Sequence, residues 1–403
     1  MLTLLTPDRF EAVRPLFAPW RPYLILFAVI DGDVPGMIFA DDERRPQTAL
    51  VWDHDEGELY LAGQSDDRAV NRSLNVTIRN KIRLYAQEHL PRLSEFTLYC
   101  NTETWAPHLT TVLAGLNPME HRRKLYLLDR APEPRQHTLP SGYSLARIDE
   151  QVFSRSLAGV DIMRDWILRP WRTAADVMRS EIGHVIIHGQ ELVSWCVSEY
   201  RSQPFSGGGQ ECQVSIYTCE AYRRRGFGTL VARATVEACL EAGIKRIGWH
   251  CWDRNVASAA TAESVGFTLA YDRPVYNRCF NQFDNLLLQA YYLSEADRPH
   301  QAITRWEEAF ALWEAGDPDA LRSPHCRAFP DTVAWCYYSA GRTRAGWGDY
   351  EAALSHLNKA VDNGWRDAQH LVNDEQLLDL QDTAGWHALL QKIEGLRRHE
   401  SRN

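Results

Sequence analysis

The chain has 403 residues, 45% hydrophobic and 24% charged, which is a globular composition spread over more length than one ordinary core holds. Its formal charge of −9 argues against a nucleic-acid partner, because neutralising phosphates requires basic patches. Nine cysteines without CxxC pairs or ligand-like spacing read as reduced, mostly buried thiols of a cytoplasmic protein, with no metal implied.

Met1 to Phe10 carries Asp8 and no basic leader before an apolar core, so no secretory signal is expected. The longest apolar run, Tyr23 to Ile30, is too short to cross a bilayer, and no membrane partner is expected. That run reads as a buried strand, and Gly36 to Ala40 as another. Thr48 to Asp53 and Glu58 to Ala62 are predicted to pair across the turn His54-Asp55-Glu56-Gly57. Apolar residues at Val70, Leu74, Ile78, Ile82 and Leu84 predict a helix over 70–87, followed by a strand at Glu95 to Cys100. No glycine-rich phosphate loop lies in this half. The proline-rich stretch Ala131 to Pro140 predicts a boundary after a first domain at 1–130.

Gly207-Gly208-Gly209 is expected to form a flexible hairpin loop. Gln213 to Thr218 reads as a strand that leads into a basic, glycine-containing turn, Tyr222 to Thr229. A mostly buried helix is predicted from Phe227 to Ala242, with Arg233, Glu237 and Glu241 as one charged stripe and Gly243 at its C-cap. A second strand runs from Ile244 to Trp252. Asn255 then caps a short helix that ends at Gly266. From about 283 the pattern becomes helical. Tyr337, Gly341, Gly348, Tyr350, Ala353, Leu357 and Ala360 have the spacing of one tetratricopeptide repeat, with a weaker copy at Leu286, Ala302, Trp306 and Ala309. Ala384 to Arg397 would cap such a stack. The expected domains are therefore 1–130, 138–282 and 283–403.

The chemistry concentrates in residues 211–267. A strand that passes through a glycine turn into a helix is an anion site, because the first helical N–H groups have no internal acceptor and can point at phosphate oxygens. Gly226 and Gly228 allow close approach, and Arg223, Arg224 and Arg225 add positive charge in a form suited to phosphate. The loop is too short for a P-loop and lacks its lysine, and the GxGxxG dinucleotide pattern is absent.

Arg223-x-x-Gly226-x-Gly228, between that strand and that helix, resembles the pyrophosphate signature of the GNAT superfamily of N-acetyltransferases. The flanking strand, Asn255 and Gly266-Phe267 extend the resemblance over about 138–280. It implies a mixed α/β acyl-CoA N-acyltransferase fold. Residues 1–130 would form a degenerate first unit in tandem with the catalytic second one, ahead of the tetratricopeptide-like helical domain. It also implies acetyl-CoA as cosubstrate and direct attack of a bound amine on the thioester. Arg223 to Thr229, including Phe227, would surround the pyrophosphate. Tyr217 and Thr218 would hydrogen-bond the pantetheine as an added strand does, and Asn255 and Ser258 would face it or fix the split between the two strands.

Acetyl transfer needs an unprotonated amine, and alkyl amines have a reference pKa of about 10, so a base is needed. Many family members place a tyrosine acid four residues before the glycine of the Gly-Phe pair, where this chain has Ala262. Many carry a glutamate on the cofactor strand, where this chain has Gln213. Glu199 and His250 are the remaining base candidates, and Tyr271 or Tyr276 the remaining acids. The acceptor is expected to be an amine on a small molecule or on a peptide or protein. The alternative is an acetyl-CoA-binding sensor or scaffold whose helical repeats hold a protein partner. A preference for longer acyl chains is a further possibility.

Overall fold

The computed structural model describes residues 1–64, 66–130, 132, 139–169, 172–202 and 210–400. Most of the proline-rich stretch 131–140 and the loop glycines 207–209 fall outside the described residues. The chain forms two compact units, Met1–Asn277 and Arg278–Asn403.

The first unit is built on one sheet of twelve strands: β1 (Thr3–Leu4), β2 (Gly36–Ala40), β3 (Thr48–Asp53), β4 (Glu58–Gly63), β5 (Glu95–Cys100), β6 (Met119–Leu128), β7 (Tyr143–Arg147), β8 (Gly183–His188), β9 (Glu191–Ser202), β10 (Glu211–Thr218), β11 (Arg246–Trp252) and β12 (Thr268–Cys279). Their order is β1-β2-β3-β4-β5-β12-β6-β11-β10-β9-β8-β7. The two halves are interlocked at the centre. β6, from the first half, pairs antiparallel with β11 from Ile247↔Leu128 to Trp252↔Arg123, while β12, from the second, lies between β5 and β6. The sheet therefore joins 1–130 and 138–277 into a single unit.

Tyr23 to Ile30 is helix, not the expected strand: α1 (Leu24–Asp31) is closed by Gly32 at φ 81, whose N–H bonds back to the carbonyls of Ala28 and Val29. A run of eight apolar residues carries no period that separates a buried strand from a helix buried all round. α1 packs against β3 and also against β9 and β10. β3 and β9 are seven places apart in the sheet, roughly 34 Å if it were flat, whereas a helix is about 10 Å across. The sheet must curl around α1, and this curl brings the β3–β4 turn beside β9. The core on the concave side holds Phe17, Trp20, Tyr23, Leu26, Val51, Tyr60, Tyr99 and Leu125.

The expected helix over 70–87 runs from α2 (Arg68–Val76), capped by Asp67, through a π turn at Thr77–Ile82 into α3 (Arg83–His89). Val70, Leu74, Ile78, Ile82 and Ala86 are buried, whereas Leu84 is exposed. A strict spacing of four overshoots a 3.6-residue turn at every step, and the wider π turn takes up the drift. In the second half, α4 (Val160–Ile167) covers β8 and β9 on one face. On the other face α5 (Phe227–Glu241) and α6 (Val256–Val265) pack over Cys196, Val214, Ile247 and Trp249. Arg233, on the expected charged stripe, is 3% exposed and its Nε donates to Glu237 at 3.1 Å.

The second unit is helical: α7 (Gln282–Glu295), α8 (Pro299–Glu314), α9 (Thr332–Ala345), α10 (Tyr350–Asp362) and α11 (Ala384–Glu400), with shorter turns between. α9 and α10 come close because Gly341 has no side chain. A Cβ there would lie 2.9 Å from Leu357 Cγ and 3.1 Å from the Ala353 carbonyl oxygen. No helix among the described residues is long and apolar enough to cross a membrane.

Candidate active site

β10 and β11 run parallel but pair only over Glu211–Gln213 and Arg246–Gly248. Beyond that point β10 stays on β9 as far as Thr218, and β11 stays on β6 as far as Trp252. The two strands therefore part, each leaving an edge unpaired among the described residues. The equivalent pair in the first half, β4 and β5, stays zipped from Glu58↔Thr97 to Leu61↔Cys100.

Strand alternation decides which groups face the cleft. Cys219 N–H donates to the Val193 carbonyl on β9, so the backbone of Tyr217 also turns toward β9 and that of Ile216 and Thr218 turns away from it. The Tyr217 carbonyl accepts from Ser194 Oγ at 2.9 Å, and its ring stacks beside Trp195. Ile216 and Thr218, rather than Tyr217 and Thr218, thus offer their amides to the open edge. Ile216 could have been found in the sequence only with the phase of the β9–β10 pairing in hand.

At the mouth of the cleft, Gly226 (φ 80) opens the fifteen-residue α5, and no side chain caps the helix there. Space at Gly228 is tight, since a Cβ would lie 3.3 Å from Thr218 Oγ1 and in ordinary contact, 3.6 Å, with Ile216 Cδ1. Arg223 Nε donates to the Thr218 carbonyl at 3.2 Å, which ties the turn to the strand. Arg224 takes a left-handed backbone (φ 64), and the Arg225 guanidinium lies over the Tyr222 ring. All three arginines are exposed, and Phe227 is buried beneath them. Thr229 points to Ser264 on α6. On the far wall, Asn255 Oδ1 accepts from Ser258 N–H as the α6 cap, and Ser258 Oγ accepts the Trp249 indole N–H at 3.0 Å. Asn255 thus caps α6, and Ser258 ties it to β11.

At the closed end of the cleft, Glu199 on β9 stands opposite Gln213 and accepts a hydrogen bond from Ser215. It is 5% exposed, and burial together with the charge of Glu56 pushes its carboxyl up to about 8. Glu56 and Asp55 come from the β3–β4 turn. Asp55 accepts from the Tyr200 hydroxyl at 2.6 Å and pairs with Arg169, which also reaches Glu56 at 3.4 Å. The Glu56 carboxyl, partly desolvated although its side chain keeps 35% exposure, is raised from its ordinary value, and the charge of Asp55 adds to the effect. None of Asp55, Glu56, Arg169 and Tyr200 was among the sequence candidates. The density of carboxylates in Asp53-His54-Asp55-Glu56-Gly57-Glu58 is a signal for the first two and for neither Arg169 nor Tyr200.

The structure does not support the other catalytic candidates. His250 lies on β11 against the Tyr23 ring, and burial together with Arg123 lowers it to about 3. A group this hard to protonate is a poor proton acceptor at neutral pH. Tyr271 pairs with Leu125 of β6, which in turn pairs with His250, so it stands two strands, about 10 Å, from β11. Tyr276 lies five positions further along β12. The insertion of β6 between β11 and β12 holds both tyrosines away from the cleft. Ala262 is buried in the core.

A family model described as GNAT acetyltransferase matches residues 14–276. A curated relative, the uncharacterized N-acetyltransferase YdfB of Bacillus subtilis, is 26% identical over 277 residues, covering 68% of this chain and 98% of its own. Among solved structures, a GCN5-related N-acetyltransferase-like protein from Streptococcus suis is 21% identical with a TM-score of 0.47, covering 67% of this chain and 98% of its own. A tandem GNAT protein from the clavulanic acid biosynthesis pathway is 14% identical with a TM-score of 0.44, covering 70% of this chain and 99% of its own.

Proposed function

From a chain that belongs to the GNAT acetyltransferase family, we propose an enzyme that binds acetyl-CoA between β10 and β11 and transfers its acetyl group to an amine. The observation that carries this reading is the parting of the two strands beyond Gln213 and Gly248, directly onto an uncapped helix start. The residues present fit the cosubstrate. Uncapped amides at Phe227, Gly228 and Thr229 and the exposed Arg223, Arg224 and Arg225 suit a pyrophosphate. The open edge at Ile216 and Thr218 suits the amides of pantetheine. When bound, acetyl-CoA supplies an activated thioester, which a bound amine attacks directly.

Glu199 is the base. Its carboxylate takes the proton from the acceptor ammonium and Ser215 fixes its orientation. A buried carboxyl raised to about 8 is better matched to an amine than an ordinary surface glutamate is.

Isothermal titration with acetyl-CoA tests the cofactor reading. Gly226→Asp tolerates the left-handed backbone better than most substitutions but sets a carboxylate where phosphates would sit. Affinity should fall by about tenfold or more. Equal affinity in wild type and variant would refute the site.

We read the α9–α10 pair, closely packed at Gly341, as a tetratricopeptide-like repeat that binds a peptide or protein. A second reading, a coenzyme sensor or scaffold acting through these helices, is favoured by one observation: Ala262 stands where an acid is usual, and Tyr271 is about 10 Å from β11. Turnover of acetyl-CoA with a panel of amines separates the two readings.

A further inference from the structure

We propose that the β3–β4 turn of the first half belongs to the catalytic machinery of the second, with Asp55 and Glu56 as positioning residues for Glu199. This inference rests on Glu199 acting as the base.

The backbone geometry comes first. Consecutive residues of a strand point to opposite faces, yet Tyr200 bonds to Asp55 while the neighbouring Glu199 lies within electrostatic range of Asp55 and Glu56. The cause is Tyr200, whose φ of 52 is a left-handed conformation rarely adopted by a bulky residue. Across the ladder, the register of β10 slips between Glu211 and Gln213, opposite this same point. The Tyr200 hydroxyl then donates to Asp55 at 2.6 Å and fastens the turn to the strand that carries Glu199. Arg169, in the stretch after α4, grips the turn through both Asp55 and Glu56.

The electrostatics follow from that placement. The charges that act on Glu199 are Glu56 and Asp55 from the β3–β4 turn and Arg169 from the stretch after α4, and Ser215 of β10 donates a hydrogen bond. α1 also packs on β9, but its single ionisable residue, Asp31, is paired with Arg14. Glu56 disfavours ionised Glu199, so Glu199 binds its proton more tightly and is the stronger base. In the proton transfer an N–H bond of the ammonium breaks and an O–H bond forms on Glu199. The first half, whose β4 and β5 never part, would thus be retained for the turn it contributes to a site it does not contain.

The experiment uses full-length protein with carboxyl-¹³C-labelled glutamate, Glu199 being assigned by the signal lost in Glu199→Gln. Glu56 is on a turn and its side chain is 35% exposed, so Glu56→Gln should fold. Removing that charge should lower the Glu199 titration midpoint by about one pH unit. The acidic limb of kcat/KM for acetyl transfer should move down by the same amount. Glu56→Asp, which keeps the charge, should recover most of the midpoint, a rescue that a merely structural role does not produce. An unmoved midpoint, with Glu199→Gln inactive, overturns this inference alone. Full turnover in Glu199→Gln removes the base reading and the inference with it.

Discussion

Replacing Glu199 with glutamine keeps the size of the side chain and removes only its capacity to take a proton, so the pH dependence of the loss reports the mechanism. With a midpoint of about 8, the carboxylate is ionised in roughly one molecule in eleven at pH 7. An alkyl amine of reference pKa about 10 is free in roughly one molecule in a thousand there. The wild type draws on the abundant ammonium through the carboxylate, whereas the variant must wait for free amine. Below pH 8 the carboxylate in one enzyme and the free amine available to the other rise together, so the ratio of their rates is level. Above pH 8 the carboxylate is saturated while free amine still rises, and the ratio falls about tenfold per pH unit. A loss of roughly a hundredfold at neutral pH should therefore nearly vanish by pH 10. The assay is release of free coenzyme A thiol with a primary amine, at saturating acetyl-CoA, from pH 6 to 10. A ratio that stays constant across this range, or no loss at pH 7, would refute the reasoning.

The same midpoint makes a claim about stability. A carboxyl raised from an ordinary 4.5 to about 8 contributes stability that is complete below the unfolded value and is lost as pH rises through about 8. Glu199→Gln should therefore gain thermal stability over wild type between pH 5 and pH 9, and a difference in melting temperature that does not change with pH would contradict this. The exchanged strands predict that residues 138–282 expressed alone will not give a cooperative melting transition, because β11 loses β6 as its neighbour, whereas 1–277 will melt cooperatively. A sharp transition in the shorter fragment would show that β6 is dispensable.

What the sequence made legible was local. The β3–β4 hairpin, the glycine turn before α5, the Asn255 cap and the left-handed Gly266 each depend on residues within a few positions of one another, and the structure has all four. What stayed hidden depends on pairing across the chain. Leu24 to Asp31 lacks a usable period, and only the curl of the sheet, which surrounds the segment with apolar side chains, reveals it as a helix. Nothing in Met119 to Leu128 announces that it will pair with residues 119 to 129 positions further along. Yet that one exchange moves Tyr271 and Tyr276 out of reach of β11 and makes one unit of two expected domains.

Glu199 shows both limits at once. Its place on the strand before β10 could be read from order alone, but the burial that raises it and the charge of Glu56, 143 positions earlier, could not. A turn whose tip is rich in carboxylates ordinarily lies in water, where neighbouring charges are screened and shift one another little. Here the curl of the sheet carries the turn against β9, Tyr200 leaves the ordinary strand conformation to hold it, and Arg169 offsets part of its charge. If the chemistry requires a base stronger than a solvated glutamate, the folded contact between the two halves is what provides one. On that proposal, a first half whose β4 and β5 stay paired still supplies Asp55 and Glu56 to the other site.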